Sequence, residues 1–499
     1  MTSSPTAELV DRSTSKVLGV DAYLETLEPD SEIGERRLRR SEPYRPGERD
    51  AWRAEIDRLE TVEQWAFDNP EQHAAVRRAL ARLPDIRATV TPLIGPAQPD
   101  PLSESALFTL KQFLYFGARI LDAGEKLLAE NHSIPLDAEA MRALSSTIHP
   151  GGAETPRFHL SGELDSELER RIERRRTLQR ELRDHRDAPD ADQATVESLE
   201  SQLESARQEL EKTERSVRRE LTGDIADKAE SLREMAGFLG DLDLRLAKAR
   251  LKSGLDACWG TWSQTGSALV ISAGREPRIA RMLEETEDVV QPIDLDVPEA
   301  PLVITGPNMG GKSALLQLVG LAQWCAQHAM PVPADAFQFA PVETIFYVGS
   351  EEPTARDASE GLSAFGREVR RLVDLEARAD DPSLWLLDEV GRGTHPDDGA
   401  DLAIEIVEKL DEAGHRVVVA THFPAVAAHD GFDTVRIRGI VDRAGLAEAL
   451  GSADTLDEIE HLLRDATDFQ PLASGDADVP RDAHLVARAL GLDVDDTED

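Results

Sequence analysis

The chain runs to 499 residues, 40% of them apolar, with a formal charge of -40 at pH 7. That apolar content suits roughly three domains with real cores. Two cysteines, Cys258 and Cys325, exclude a disulfide framework, and no stretch approaches the ~20 apolar residues of a membrane span. The polar start MTSSPTAELVDRSTSK lacks the apolar centre of a signal peptide, so a soluble cytoplasmic protein is expected. Acidic residues are spread along the whole chain, and only nine of the 56 basic residues are lysine. Such dispersed charge predicts a hydrated, halophilic surface rather than a device for binding basic partners.

Residues 1–16 read as a disordered start. From 17 to 162 the pattern is helix after helix, an all-α core. Trp52, Ile56, Leu59, Val62 and Trp65 recur at three- and four-residue steps, the mark of one buried stripe. SESALFTLKQFLYFGARILDAGEKLL repeats that pattern after the Pro-rich break PLIGPAQPDP. Residues 163–235 are nearly all charged or heptad-apolar. Val196, Leu199, Leu203, Ala206, Leu210, Thr213 and Val217 alternate steps of three and four, Leu164, Leu168, Ile172 and Leu182 precede them, and DAPDADQ separates the two runs. The reading is an antiparallel coiled-coil hairpin with arms of about 35 Å at 1.5 Å per residue. Its first arm concentrates arginine, and Arg174, Arg175, Arg180 and Arg183 are candidates for phosphate contact, with a merely solvated face as the plainer alternative.

Residues 236–266 read as a helix returning to the core. Over 267–430 short apolar runs (ALVISA, LVITG, TIFYVG, LWLLDE, RVVVATH) alternate with helical stretches, the texture of an α/β domain with a mostly parallel sheet. Residues 431–499 form an acidic segment, with short helical patterns around Leu456–Leu463 and Ala483–Leu490 and a disordered DVDDTED tail.

Three stretches of the α/β region carry chemistry. Gly306, Gly311, Lys312 and Ser313 satisfy G-x-x-x-x-G-K-[ST] between the strand LVIT and the helix SALLQLVGLAQW. Glycines let backbone N–H groups converge on phosphate oxygens, and the helix N-terminus adds partial positive charge. Lys312 then reaches the β- and γ-phosphates of ATP, and the Ser313 hydroxyl ligates Mg²⁺. The apolar strand SLWLLDE delivers Asp388 and Glu389 to its C-terminal end, where α/β folds bind ligands. Asp388 is expected to hold the metal's water shell and Glu389 to polarise an attacking water. RVVVATH ends in Thr421 and His422, and His422 is a candidate γ-phosphate sensor.

Together these residues resemble the MutS family of ATP-driven DNA mismatch-repair clamps. The family's loop TGPNMGGKS is matched in full from Thr305 to Ser313, its DE-x-G-x-GT motif by Asp388, Glu389, Gly391, Gly393 and Thr394, and its TH pair by Thr421 and His422. The nucleotide-binding set so implied is Gly306, Pro307, Asn308, Met309, Gly310, Gly311, Lys312, Ser313 and Ala314. SEGLSAFGREVRRL looks like the family's signature helix, with Ser363 at the serine that contacts nucleotide on the opposite subunit; the resemblance therefore implies a homodimer. GREP, from Gly274 to Pro277, is similar to the GRHP that opens the family's ATPase domain, with Glu276 in place of histidine. The arginine-bearing hairpin sits where the family places its DNA-embracing clamp.

The departures are equally specific. The mismatch-reading F-x-E motif is absent from the chain, and about three hundred residues precede the phosphate loop, too few for wedge and connector domains. GTHPDDGADLA resembles the short branch that lacks those domains, a branch that often ends in a small nuclease domain for which the acidic C-terminus offers no counterpart. The expected fold is thus an α/β P-loop ATPase domain of the ABC type joined to an all-α lever with a coiled-coil clamp. The expected function is ATP hydrolysis driving a dimeric clamp on duplex or branched DNA, in repair or recombination, without classical mismatch reading. The alternative is an ATP-switched factor acting on ribosomal RNA or a protein partner.

Overall fold

A computed structural model describes residues 8–95, 99–128, 135–150, 155–160, 162–188, 192–263, 269–284, 290–307, 310–349, 363–379, 382–450 and 455–473. They fall into two compact units. One draws on Met1–Leu27, Glu42–Asp57 and Lys248–Asp499, the other on Glu28–Ser41 and Arg58–Ala247.

The first unit holds both sheets. Its strands are β1 (Thr261–Trp262), β2 (Leu269–Gly274), β3 (Ile293–Val297), β4 (Leu302–Thr305), β5 (Ala336–Phe339), β6 (Thr344–Val348), β7 (Ser383–Asp388), β8 (Arg416–Ala420), β9 (Asp433–Ile440) and β10 (Thr467–Ala473). The larger sheet has the order β10-β9-β4-β8-β7-β6 and is parallel throughout except for β10, which runs antiparallel along β9. The smaller sheet, β1-β5-β2-β3, pairs β1 with β5 in parallel and is otherwise antiparallel.

Why these runs become central strands follows from their composition. LVIT, SLWLLD and RVVVA are rich in branched and aromatic residues and are buried along nearly their whole length, as strands covered on both faces must be. Trp385, Leu387 and Val419 pack there with Val407, Leu375 and Phe423 from the covering helices. The helix Lys312–Gln327 is buried almost all round, consistent with its lack of a polar face. The β6 edge does not stay open, because residues 8–16, expected within a disordered start, are ordered along it and lead into the helix Arg12–Leu18. Leu9 O accepts from Ile345 N–H at 2.8 Å, Val10 forms a parallel bridge to Ile345, and Thr14 Oγ1 accepts from Tyr347 N–H. Covering an edge in this way removes a template for unwanted pairing.

Residues 431–499, expected as short helices and a tail, also supply β9 and β10, and β9 pairs directly with β4. The helical pattern near Leu456 is a helix, Leu456–Asp465; that near Ala483 lies outside the described residues. The strand signal of DTVRIRGI was hidden by its charged residues, and that of TDFQPLA by an internal proline, which sheets admit at edges.

The second unit is helical. The helix Glu104–Ala123 buries Leu107, Leu110, Phe113, Leu114 and Ile120 and packs against Ala138–Ile148. The two helices Ser166–Arg186 and Gln193–Ala226 start from aspartate N-caps, Asp165 and Asp192, whose carboxylates each accept two backbone N–H groups. They run antiparallel: Arg171 pairs with Glu209 and Arg186 with Glu200, so residue numbers rise on one helix as they fall on the other. Between them Leu178, Leu182, Leu199, Leu203 and Ala206 form a narrow apolar seam. No helix among the described residues is long and apolar enough to cross a membrane.

Candidate nucleotide site

Strand register assembles the site. Ile304 on β4 lies opposite Ala420 on β8, and Ala420 lies opposite Asp388 on β7. The phosphate loop, the acidic pair and the Thr421–His422 pair therefore leave the sheet side by side at the C-terminal ends of three adjacent parallel strands, the usual ligand end of such sheets.

At the loop, Gly311 stands in the left-handed region at φ +87° and caps the helix Lys312–Gln327, a conformation that favours glycine. A Cβ there would also meet the Phe469 ring at 3.1 Å. Lys312 is buried, and its Nζ donates to Gly306 O and Pro307 O, each at 3.1 Å. Burial lowers its pKa from the ordinary lysine value, while Glu389 and Asp388 oppose the shift. Ser313 is exposed in the first turn of the helix. Gly306, Pro307, Gly310 and Ala314 complete the described loop; Asn308 and Met309 lie outside the described residues.

The acidic pair is held from behind. Tyr347, on the neighbouring strand, donates its Oη to Asp388 Oδ2 at 2.5 Å. The other oxygen, Oδ1, is buried with no hydrogen-bond partner among the described residues. Glu389 adopts φ +53°, a left-handed conformation costing a non-glycine residue on the order of 1–3 kcal/mol unless its surroundings enforce it. Here the Glu389 N–H donates to Ala420 O at 2.8 Å. Its carboxylate lies 4.0 Å from Lys312 Nζ through Oε1, and 2.5 Å from Arg392 Nη1 through Oε2. The turn continues through Gly391 at φ +87°, where a Cβ would strike Gly399 O at 2.6 Å.

Thr421 is buried, donating its N–H to Ile304 O and accepting at Oγ1 from Phe423 N–H. His422 is exposed, its ring packed against Phe423 at 4.3 Å between centroids. Ser363 is the exposed N-cap of the helix Ala364–Glu376, accepting from Gly366 N–H at 3.1 Å. No hydrogen bond among the described residues joins it to the phosphate loop, the acidic pair or His422. Lys312, Asp388 and Glu389 are thus brought together, while Ser363 is not connected to them directly. Arg174, Arg175, Arg180 and Arg183 lie in the helical unit on Ser166–Arg186, where Arg174, Arg180 and Arg183 are exposed and Arg175 is half-buried.

Several site residues carried no sequence motif. A cavity of about 410 Å³ opens beside Gly311, lined by Gly274, Glu276, Gln291, Ala314, Leu318 and Phe469 among others. Gln291 clasps β10 at its mouth, donating to Asp468 Oδ1 and accepting from Phe469 N–H. Glu276, the departure from histidine, is buried and accepts from Arg278 Nε and Ile279 N–H, each at 2.8 Å. Tyr347, Gln291 and Phe469 reach the site only through strand pairing or chain return, and local spacing holds no sign of either, whereas Glu276 stood in the GREP motif.

A glycine-rich loop between a buried strand and a helix, with an acidic pair two strands away on the same parallel sheet, defines a P-loop nucleotide-binding domain of the ATPase type. Residues 302–436 match the family model for MutS domain V. The chain is 34% identical over 241 residues to the endonuclease MutS2 of Geobacillus sp. (strain WCH70), a match covering 48% of this chain and 29% of that protein. The endonuclease MutS2 of Halalkalibacterium halodurans is 32% identical over 235 residues, 46% of this chain and 28% of the relative. That of Thermomicrobium roseum is 36% identical over 222 residues, 42% and 27% respectively. The chain spans less than a third of the length of these curated relatives. Residues 302–436 are thus a MutS domain V, and the relatives that the chain resembles lie on the short, MutS2-like branch.

Proposed function

We propose that this chain is a Mg²⁺-dependent ATPase whose nucleotide cycle drives a dimeric clamp on DNA, in repair or recombination, without classical mismatch reading. The observation that carries the hydrolytic part is the approach of Glu389 to Lys312, 4.0 Å apart, at the ends of strands two places apart in the sheet. Lys312 would turn from the loop carbonyls to the β- and γ-phosphates, with the loop N–H groups around it. Glu389 would orient the attacking water, and His422 would report the γ-phosphate. The cavity walled by Phe469 has room for a nucleobase, and its aromatic ring suits stacking.

The buried, unpartnered Asp388 Oδ1 and the exposed Ser313 hydroxyl fit a hydrated divalent cation, since a buried carboxylate oxygen needs a partner. Mg²⁺ held there would neutralise charge on the transferred phosphoryl group. Ser363, exposed at a helix N-terminus, is suited to meet the nucleotide of a second copy, which makes the active form a homodimer. On the hairpin, the side chains of Arg174, Arg180 and Arg183 make no ion pair among the described residues, which supports contact with DNA phosphates.

The test is Mg-ATP turnover by wild type and Glu389→Gln. The variant should bind ATP and remain dimeric but lose on the order of 100-fold or more in kcat; wild-type turnover would remove Glu389 from the chemistry. Phosphate contacts weaken steeply with salt, so gel shifts at molar KCl should compare linear duplex, four-way junction and structured RNA. Retention of RNA alone would favour the ribosomal alternative.

A further inference from the structure

We infer that Glu368 is a positioning residue: it ties the helix opened by Ser363 to the turn that carries Glu389, so that a ligand acting on that helix's N-terminus reaches the water-orienting carboxylate of the same chain. The inference rests on the ATPase reading and adds a connection to it. Glu368 lies in the second turn of Ala364–Glu376. Its Oε1 accepts the Gly391 N–H at 2.6 Å, two residues beyond Glu389.

The bond is not an incidental surface contact. Glu368 is half-buried and pairs with no cation among the described residues, so its carboxylate is committed to a backbone amide. Burial pushes its pKa up, and the Gly391 N–H opposes that shift. Arg371, which could otherwise reach back along the helix, is engaged by Asp11 through two bonds of 2.7 and 2.9 Å. That forked pair holds the same helix near its middle. Arg378, just past the helix end, approaches Asp11 at 3.6 Å.

The turn needs such an anchor. It runs through two positive-φ residues, Glu389 and Gly391. Its own closing bonds are long: Arg392 N–H to Glu389 O at 3.2 Å and Thr394 N–H to Gly391 O at 3.4 Å. A second contact reinforces the tie. The space a Cβ would take at Gly393 is filled by Phe365, with its Cβ at 3.0 Å and its backbone nitrogen at 3.2 Å. The first two turns of the Ser363 helix and the G-R-G turn therefore move as one body. A shift of about 1 Å in a reacting group can cost on the order of 100-fold in rate, so displacement of this helix would register directly at Glu389.

The experiment is steady-state ATP turnover and binding of a non-hydrolysable ATP analogue for wild type, Glu368→Ala, Glu368→Asp and Glu368→Gln. Glutamine keeps an acceptor at the same reach; aspartate keeps the charge and withdraws the acceptor by one methylene. Alanine and aspartate should lower kcat by about 10- to 100-fold, while analogue affinity and KM change by less than about threefold. Glutamine should restore kcat to within about threefold of wild type. If alanine prevents folding, as read by circular dichroism, the aspartate and glutamine pair decides the matter. Wild-type kcat in the aspartate variant, equal damage by glutamine and aspartate, or parallel loss of affinity and kcat would each overturn the tie. A wild type that turns over no ATP would instead overturn the ATPase reading, and the tie with it.

Discussion

In the turn after β7, the groups that would do chemistry are held by neighbours behind them: Asp388 by Tyr347, Glu389 by the Ala420 carbonyl, Gly391 by Glu368. Along Ser166–Arg186 the arrangement is reversed. Arg174, Arg180 and Arg183 project into solvent from a helix whose apolar contacts with its partner amount to a seam of a few leucines. Geometry fixed to tenths of an ångström is what in-line transfer to water requires. A polyanion backbone is met by charge at adjustable reach, and long exposed arginines supply that without a preformed pocket.

Three variants test the two regions separately. Leu203, 5% exposed in the seam, should be the most costly. Leu203→Ala should destabilise the hairpin by about 2–3 kcal/mol, seen as earlier loss of helical signal on heating, with DNA-independent ATP turnover unchanged. If turnover fell in step, the hairpin could not be treated apart from the site. Phe469→Ala comes next. Removing the ring beside Gly311 should weaken nucleotide binding by about tenfold, near 1.4 kcal/mol, in a fluorescent-ATP titration; unaltered affinity would leave the cavity beside the loop without a nucleobase. The smallest change in stability belongs to the double variant Arg180→Ala, Arg183→Ala. Surface substitutions of this kind stay within about 0.5 kcal/mol. Its duplex affinity should nevertheless lose salt dependence, the slope of log K against log salt shrinking by about 0.9 for each lost contact. An unchanged slope would assign these arginines to the solvated face.

Legibility from sequence follows the same division. The loop from Gly306 to Ser313 could be read because phosphate binding by backbone N–H groups needs consecutive residues, and consecutive residues form a motif. Asp388 and Glu389 were legible as a strand end. Tyr347 was not, since its bond to Asp388 depends on β6 lying next to β7 in register. Phe469 was further from reach. It comes from an acidic segment whose proline and charges masked a strand, and it arrives at Gly311 only because β10 folds back on β9. Glu368 lies one turn past a recognisable serine, but nothing in S-A-F-G-R-E says that its carboxylate meets an amide more than twenty residues away. The seam leucines were visible by period, as heptads are, whereas the freedom of the arginines beside them emerged only once the neighbouring glutamates had found their partners.

On the proposed reading, the loop after β4 cradles a triphosphate, with Lys312 as its cation. Equilibrium titration of Mg-ATP into wild type and Lys312→Ala at molar salt tests it most directly. Wild type should take up one nucleotide per chain saturably, and the variant should lose on the order of 100-fold or more in affinity. Equal uptake by both, or none by wild type, would contradict it.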